Sequence, residues 1–152
     1  MALEDDINIL SSVALFEAFT HDQLRLMAFG AERVQLGKDD ELYAEGEAAD
    51  CAYVVVTGRI GLLKDDDSGE RRPVRAVRPG AILGELALIT SSKRLTSAVA
   101  ETDAEVLRIG HSLFRRVLEE YPDLAIALHR QIAARLSDLI RRIERLSRHF
   151  EG

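Results

Sequence analysis

Three residues in one short stretch have the types and spacing to hold a ligand. Gly84 and Glu85 open the run Gly84-Glu85-Leu86-Ala87-Leu88-Ile89, and Arg94 opens Arg94-Leu95-Thr96-Ser97-Ala98-Val99. Everything else in these two runs is apolar or small. A guanidinium grips a phosphate with paired donors, which an ammonium cannot do. A glycine lets the backbone turn sharply and lets a ligand come close. The start of a short helical turn over Glu85–Ile89 would add unpaired N–H groups that favour an anion. A carboxylate beside an anion site makes sense if it accepts hydrogen bonds from hydroxyls. The combination therefore suits an anion that also carries hydroxyls, such as a sugar phosphate. The plain alternative is that Glu85 and Arg94 simply pair with each other.

These residues need elements to position them. The 152-residue chain suits one domain with a real core. Three stretches are expected: helices over 1–30, strands over 31–110, and helices over 111–152. Leu3, Ile7 and Leu10 lie at helical spacing, and Thr20 with Gln23 has the form of a capping box. Short Val-, Ile- and Leu-rich runs predict strands at Glu32–Leu36, Glu41–Ala44, Ala52–Thr57, Ile60–Lys64, Arg72–Val77, Thr96–Ala100 and Glu105–Ile109. Many short strands at close spacing suggest an antiparallel roll or sandwich. The fold class expected is α+β, an antiparallel β-roll flanked by N-terminal helices and a long C-terminal helix. Asp65–Gly69 reads as a hairpin tip whose acids need no role beyond solvation.

The last helix is expected to start at Pro122, because proline suits a first turn, and to run about 28 residues, or roughly 42 Å. Along it Ile132, Leu136, Leu139, Ile143, Leu146 and Phe150 are spaced 4, 3, 4, 3, 4. That alternation is a heptad seam and predicts pairing with the same helix of a second copy. Arg141, Arg142, Arg145 and Arg148 read as a solvated face.

Composition narrows the function classes. A net charge of −6 argues against a nucleic-acid binder. No apolar run approaches a membrane span. One cysteine, Cys51, and an acidic N-terminus without a signal-peptide pattern favour the cytoplasm. The four histidines, His21, His111, His129 and His149, lie off the expected strands, which argues against a metal-binding roll. No Ser/His/Asp or Cys/His constellation is present, so no enzyme activity is expected.

The cassette resembles the phosphate-binding cassette of the cyclic nucleotide-binding domain family. That pattern reads Gly-Glu-x-Ala-Leu, a short loop, then Arg with small and hydroxyl residues. It is matched here by Gly84, Glu85, Ala87, Leu88, Arg94 and Thr96-Ser97-Ala98-Val99. Leu15-Phe16, the turn Glu45–Asp50, the run Tyr53–Gly58 and Pro79-Gly80 extend the resemblance over about residues 13–140. It implies a single cyclic nucleotide-binding domain over 1–152, with its cassette at 84–99. Arg94 would then pair with the cyclic phosphate, and Glu85 would accept from the ribose 2′-OH. N–H groups around Leu86 and Ala87 would help, while Leu62 and Val74 would line the base as core residues. The last helix would close as a lid, with His129, Arg130 and Arg135 as candidate lid residues.

Two positions depart from the pattern. Leu95 stands where Ser or Thr is common, which leans toward cyclic AMP over cyclic GMP, with Thr96 or Ser97 able to substitute. Lys93 stands where proline is common, which would loosen the loop. The function implied is a homodimeric cyclic nucleotide sensor whose output is a downstream protein partner or the dimer state itself. The alternative is a ligand-free interaction module with a degenerate cassette.

Overall fold

The computed structural model describes residues 2–88 and 90–151, without the side chains of Ala2, Ile132, Leu136, Leu139 and 142–151. Helix α1 (Ala2–Ser11) opens the chain with Glu4 and Asp5 in its first turn, where carboxylates suit the helix dipole. A 3₁₀ turn over Ala14–Phe16 buries Leu15 and Phe16. Helix α2 (His21–Gly30) starts at the expected capping box: Gln23 N–H donates to Thr20 Oγ1 at 3.2 Å, and Thr20 N–H donates to Gln23 Oε1 at 2.9 Å.

Ten strands follow. They are β1 (Glu32–Leu36), β2 (Glu41–Tyr43), β3 (Ala48–Ala49), β4 (Cys51–Thr57), β5 (Ile60–Asp65), β6 (Arg71–Val77), β7 (Ile82–Leu83), β8 (Ser92–Lys93), β9 (Ser97–Ala100) and β10 (Ala104–Gly110). They form two four-stranded antiparallel sheets, ordered β1-β10-β4-β7 and β2-β9-β5-β6, plus a β3-β8 ribbon. Helices α3 (His111–Glu120) and α4 (Pro122–Glu151) close the chain. This is the expected roll with flanking helices.

Strand alternation divides the core in two. On β4, Ala52 and Val54 face a helix-side core with Phe16, Phe114 and Leu128, while Val55 faces the inside of the roll with Ile60, Leu62 and Leu83. On β10, Leu107 and Ile109 take the first side, and Ala104 and Val106 the second. Arg33 of β1 fastens the roll to the helices by pairing with Glu105 of β10 and the buried Asp6 of α1.

Three expectations change. Val74 is not a core residue: it is 53% exposed. It lies on β6, an edge strand. The register slips there so that Leu62 faces Arg75 and Leu63 faces Pro73, leaving Val74 as the extra residue of a bulge. Asp66 does more than meet solvent. It accepts from Ser68 N–H, Ser68 O–H, Glu70 N–H and Arg72 Nε, which holds its carboxyl well below the usual carboxylate range. Lys93 lies not in an open loop but in β8, which pairs with β3 through Ala48↔Lys93 and Ala49↔Ser92.

Helix α4 has 30 residues, about 45 Å at 1.5 Å per residue. The seam residues Ile132, Leu136, Leu139, Ile143, Leu146 and Phe150 have side chains outside those described, as do Arg142, Arg145 and Arg148. Arg141 is exposed, 3.9 Å from Asp138. Among the described residues, no helix is long and apolar enough to cross a membrane.

Candidate functional site

Strand β7 ends at Gly84, which takes φ +73°. Other residue types are strained there. The second reason for glycine is space: a Cβ at this position would lie 2.3 Å from Arg94 Nη1. The chain then makes a 3₁₀ turn over Glu85–Leu88. Ala87 N–H donates to Gly84 C=O at 3.0 Å, so it is committed within the turn, whereas the first amides of such a turn find no acceptor inside it. Ala87 and Leu88 are buried, and Leu86 is half-buried. The ring Nδ1 of His111, the first residue of α3, lies 3.1 Å from Ala87 C=O. The cassette turn is thereby fastened to the helices.

The β3-β8 ribbon delivers Arg94. Its N–H donates to Glu47 C=O at 2.8 Å, and its own C=O accepts from Gly46 N–H at 2.9 Å. With the backbone held on both sides, the side chain turns inward and is only 7% exposed. The guanidinium carbon lies 4.4 Å from the Tyr43 ring centroid and 5.5 Å from that of Tyr53. Nη2 donates to Cys51 Sγ at 3.3 Å. Among the described residues, Nη1 is buried with no hydrogen-bond partner. Among the described residues Arg94 has no carboxylate partner, an unusual state for a buried cation.

Glu85 is engaged elsewhere. Its Oε1 lies 3.4 Å from Arg135 Nε of α4. The simple Glu85–Arg94 pair is therefore not formed. Of the expected site residues, Gly84, Glu85, Leu86, Ala87 and Arg94 lie together at the turn, and Arg135 reaches them from α4. Leu62 is buried on β5, opposite Ala98 of β9. Leu95 is 48% exposed, and its C=O accepts from Lys64 Nζ at 3.4 Å. Thr96 is half-buried. His129 lines a cleft with Leu88 of the turn, His111 and Arg115. A cavity of about 400 Å³ bordered by Asp50, Ser91, Arg108 and His111 touches the turn only through Ala87.

Tyr43, Tyr53 and Cys51 were not among the expected site residues. Burial pushes the Tyr53 phenol up to about 12, helped by its hydrogen bond to Cys51. Burial also raises that of Tyr43, against the pull of the Arg94 charge. Tyr53 opens a run that carries the resemblance, but no local motif ties it, Tyr43 or Cys51 to Arg94, which only the folded chain brings to them.

The model of the cyclic nucleotide-binding domain matches residues 33–121, more than half the chain. This chain belongs to the cyclic nucleotide-binding domain family. A cyclic nucleotide-binding-like protein from Brucella abortus is 58% identical to this member, over 76% of this chain and 98% of that one, with a TM-score of 0.69. The N-terminal domain of a transcriptional regulator from Streptomyces coelicolor is 30% identical over 86% of this chain and 94% of its own, with a TM-score of 0.78. The regulatory domain of Toxoplasma gondii PKA, solved with cAMP, is 26% identical over 76% of this chain and 44% of its own, with a TM-score of 0.71. Lysophospholipase nte1 of Aspergillus terreus is 31% identical over 114 residues, 75% of this chain. The chain spans 8% of that relative's length, so the similarity is to a binding module within it.

Proposed function

We propose that this family member is a cyclic mononucleotide sensor that prefers cyclic AMP. The observation that carries the reading is the buried Arg94 guanidinium, whose Nη1 has no partner among the described residues. A cyclic phosphate would supply the missing acceptor and the missing negative charge. The amide of Leu86, at the start of the turn, would add a donor, while Gly84 leaves the backbone approachable.

Glu85 is the acceptor for the ribose 2′-OH. A carboxylate offers about four lone-pair sites, so one bond from Arg135 leaves room for a hydroxyl. The base lies against Leu62, Val74 and Leu95. The exposure of Val74 and Leu95 suits apolar surface that a purine covers. Leu95 offers no hydroxyl to a guanine amino group, which favours adenine.

Signalling runs through α4. Arg135 reads the state of Glu85, and the heptad spacing of the same helix pairs two copies. Residues 1–152 act as one unit, in the cytoplasm, and pass the signal to a protein partner or to the dimer state.

The test is a calorimetric panel of cyclic AMP, cyclic GMP and a cyclic dinucleotide. Saturable binding of cyclic AMP, tighter than cyclic GMP, is expected. Binding of none would replace this reading with a ligand-free interaction module.

A further inference from the structure

A buried arginine ordinarily sits against a carboxylate, because an unneutralised charge away from water is costly. Arg94 does not. Glu47 meets it through its backbone carbonyl, and three other acids of the surrounding turns lie against other cations. Glu85 lies 3.4 Å from Arg135, Asp50 lies 3.5 Å from Arg108, and Glu45 lies 3.7 Å from Lys64. Asp50 directly precedes Cys51, yet it is the Cys51 thiol that meets the guanidinium.

The groups that do hold Arg94 are two aromatic rings and a sulfur rather than a carboxylate. The rings of Tyr43 and Tyr53 stack on each other, with centroids 6.0 Å apart and planes 23° apart, and the guanidinium lies over both. An aromatic face attracts a cation without cancelling its charge. A thiol is a weak acceptor. Both phenols keep their protons well above neutral pH, since burial raises them. Gly84 provides the space in which Nη1 ends.

We infer that Tyr43, Tyr53 and Cys51 are positioning residues that form a counterion-free cradle, holding the Arg94 guanidinium in place with its charge available to an incoming anion. The rings fix the guanidinium plane, and Cys51 fixes its rotation through Nη2. A carboxylate in place of the thiol would satisfy the cation permanently. It would stabilise the fold and block the ligand. This inference rests on the reading that Arg94 grips the ligand phosphate.

Four variants test it, with cyclic AMP calorimetry and thermal melting as readouts. Tyr43→Phe keeps the ring and is expected to bind within about two-fold of wild type, whereas Tyr43→Leu is expected to lose about ten-fold, the scale of a desolvated cation–π contact. Cys51→Ser keeps a neutral acceptor and is expected to bind. Cys51→Asp is expected to melt higher than wild type yet lose about a hundred-fold in affinity, the scale of a charge-assisted contact. Equal affinity of Tyr43→Leu and Tyr43→Phe, or wild-type affinity in Cys51→Asp, would overturn the cradle. If wild type binds neither cyclic AMP nor cyclic GMP, the ligand reading fails, and the cradle is judged by melting alone. A rise in Cys51→Asp that disappears when Arg94→Met is added supports it. No rise overturns it.

Discussion

Arg135 Nε lies 3.4 Å from Glu85 Oε1, and this ion pair joins α4 to the turn that follows Gly84. The contact links the residue proposed to hold the ribose with the helix proposed to carry the signal. Both side chains are partly exposed, at 42% and 21%. Such pairs contribute about 0–1 kcal/mol. Arg135→Ala should therefore weaken cyclic AMP binding by no more than about five-fold. Glu85→Ala should cost more, since it removes the ribose acceptor itself. Calorimetry on the two variants separates these effects. Tighter binding in Arg135→Ala would show that Arg135 competes with the ribose rather than sharing Glu85 with it.

Gly84→Ala should damage both fold and site. At φ +73° a side chain costs about 1–2 kcal/mol before any clash. The new Cβ would also meet Arg94 Nη1 at 2.3 Å and push the guanidinium out of place. Urea unfolding should report at least that loss of stability, and calorimetry a sharp fall in affinity. Wild-type binding in this variant would mean that Nη1 does not face the ligand.

The two cradle tyrosines predict a loss of stability at alkaline pH. The Tyr53 phenol is pushed from its ordinary 10.0 up to about 12, first by burial and then by its hydrogen bond to Cys51. The folded state thus keeps a proton that the unfolded chain has released. The resulting stability is whole below pH 10 and is lost as pH rises from 10 toward 12. Tyr43 adds to the same slope, because burial raises it as well. The melting temperature of Tyr53→Phe should fall less steeply than that of wild type across this window. Parallel curves would remove Tyr53 from the account.

Dimerisation through α4 has a separate test. Sedimentation should give two copies for wild type and one for Leu139→Glu, which places a charge in the 4, 3, 4 seam. A monomeric wild type at high concentration would end that proposal.

The elements that could be read from sequence are those with local signals. The Thr20–Gln23 capping box, the Pro122 helix start and the turn at Asp65–Gly69 depend on neighbours in the chain, and each appears where expected. Strands β3, β7 and β8 have two residues each, too few for any alternation to show, and exist only through their partners. Val74 looked like core because it is apolar within a strand pattern. The local sign that β6 is an edge strand with a bulge is its neighbour Pro73, which cannot donate to a ladder. The site divides the same way. Gly84, Glu85 and Arg94 announce themselves by type and close spacing. Cys51 is 43 residues from Arg94, and sheet pairing brings them together.

The central claim is that the buried Arg94 guanidinium is kept for a phosphate, and calorimetry of cyclic AMP against wild type and Arg94→Ala tests it most directly. Losing one charge-assisted contact of about 1.5–3 kcal/mol predicts an affinity about ten- to a hundred-fold lower in the variant. Equal affinity for the two proteins would contradict the account.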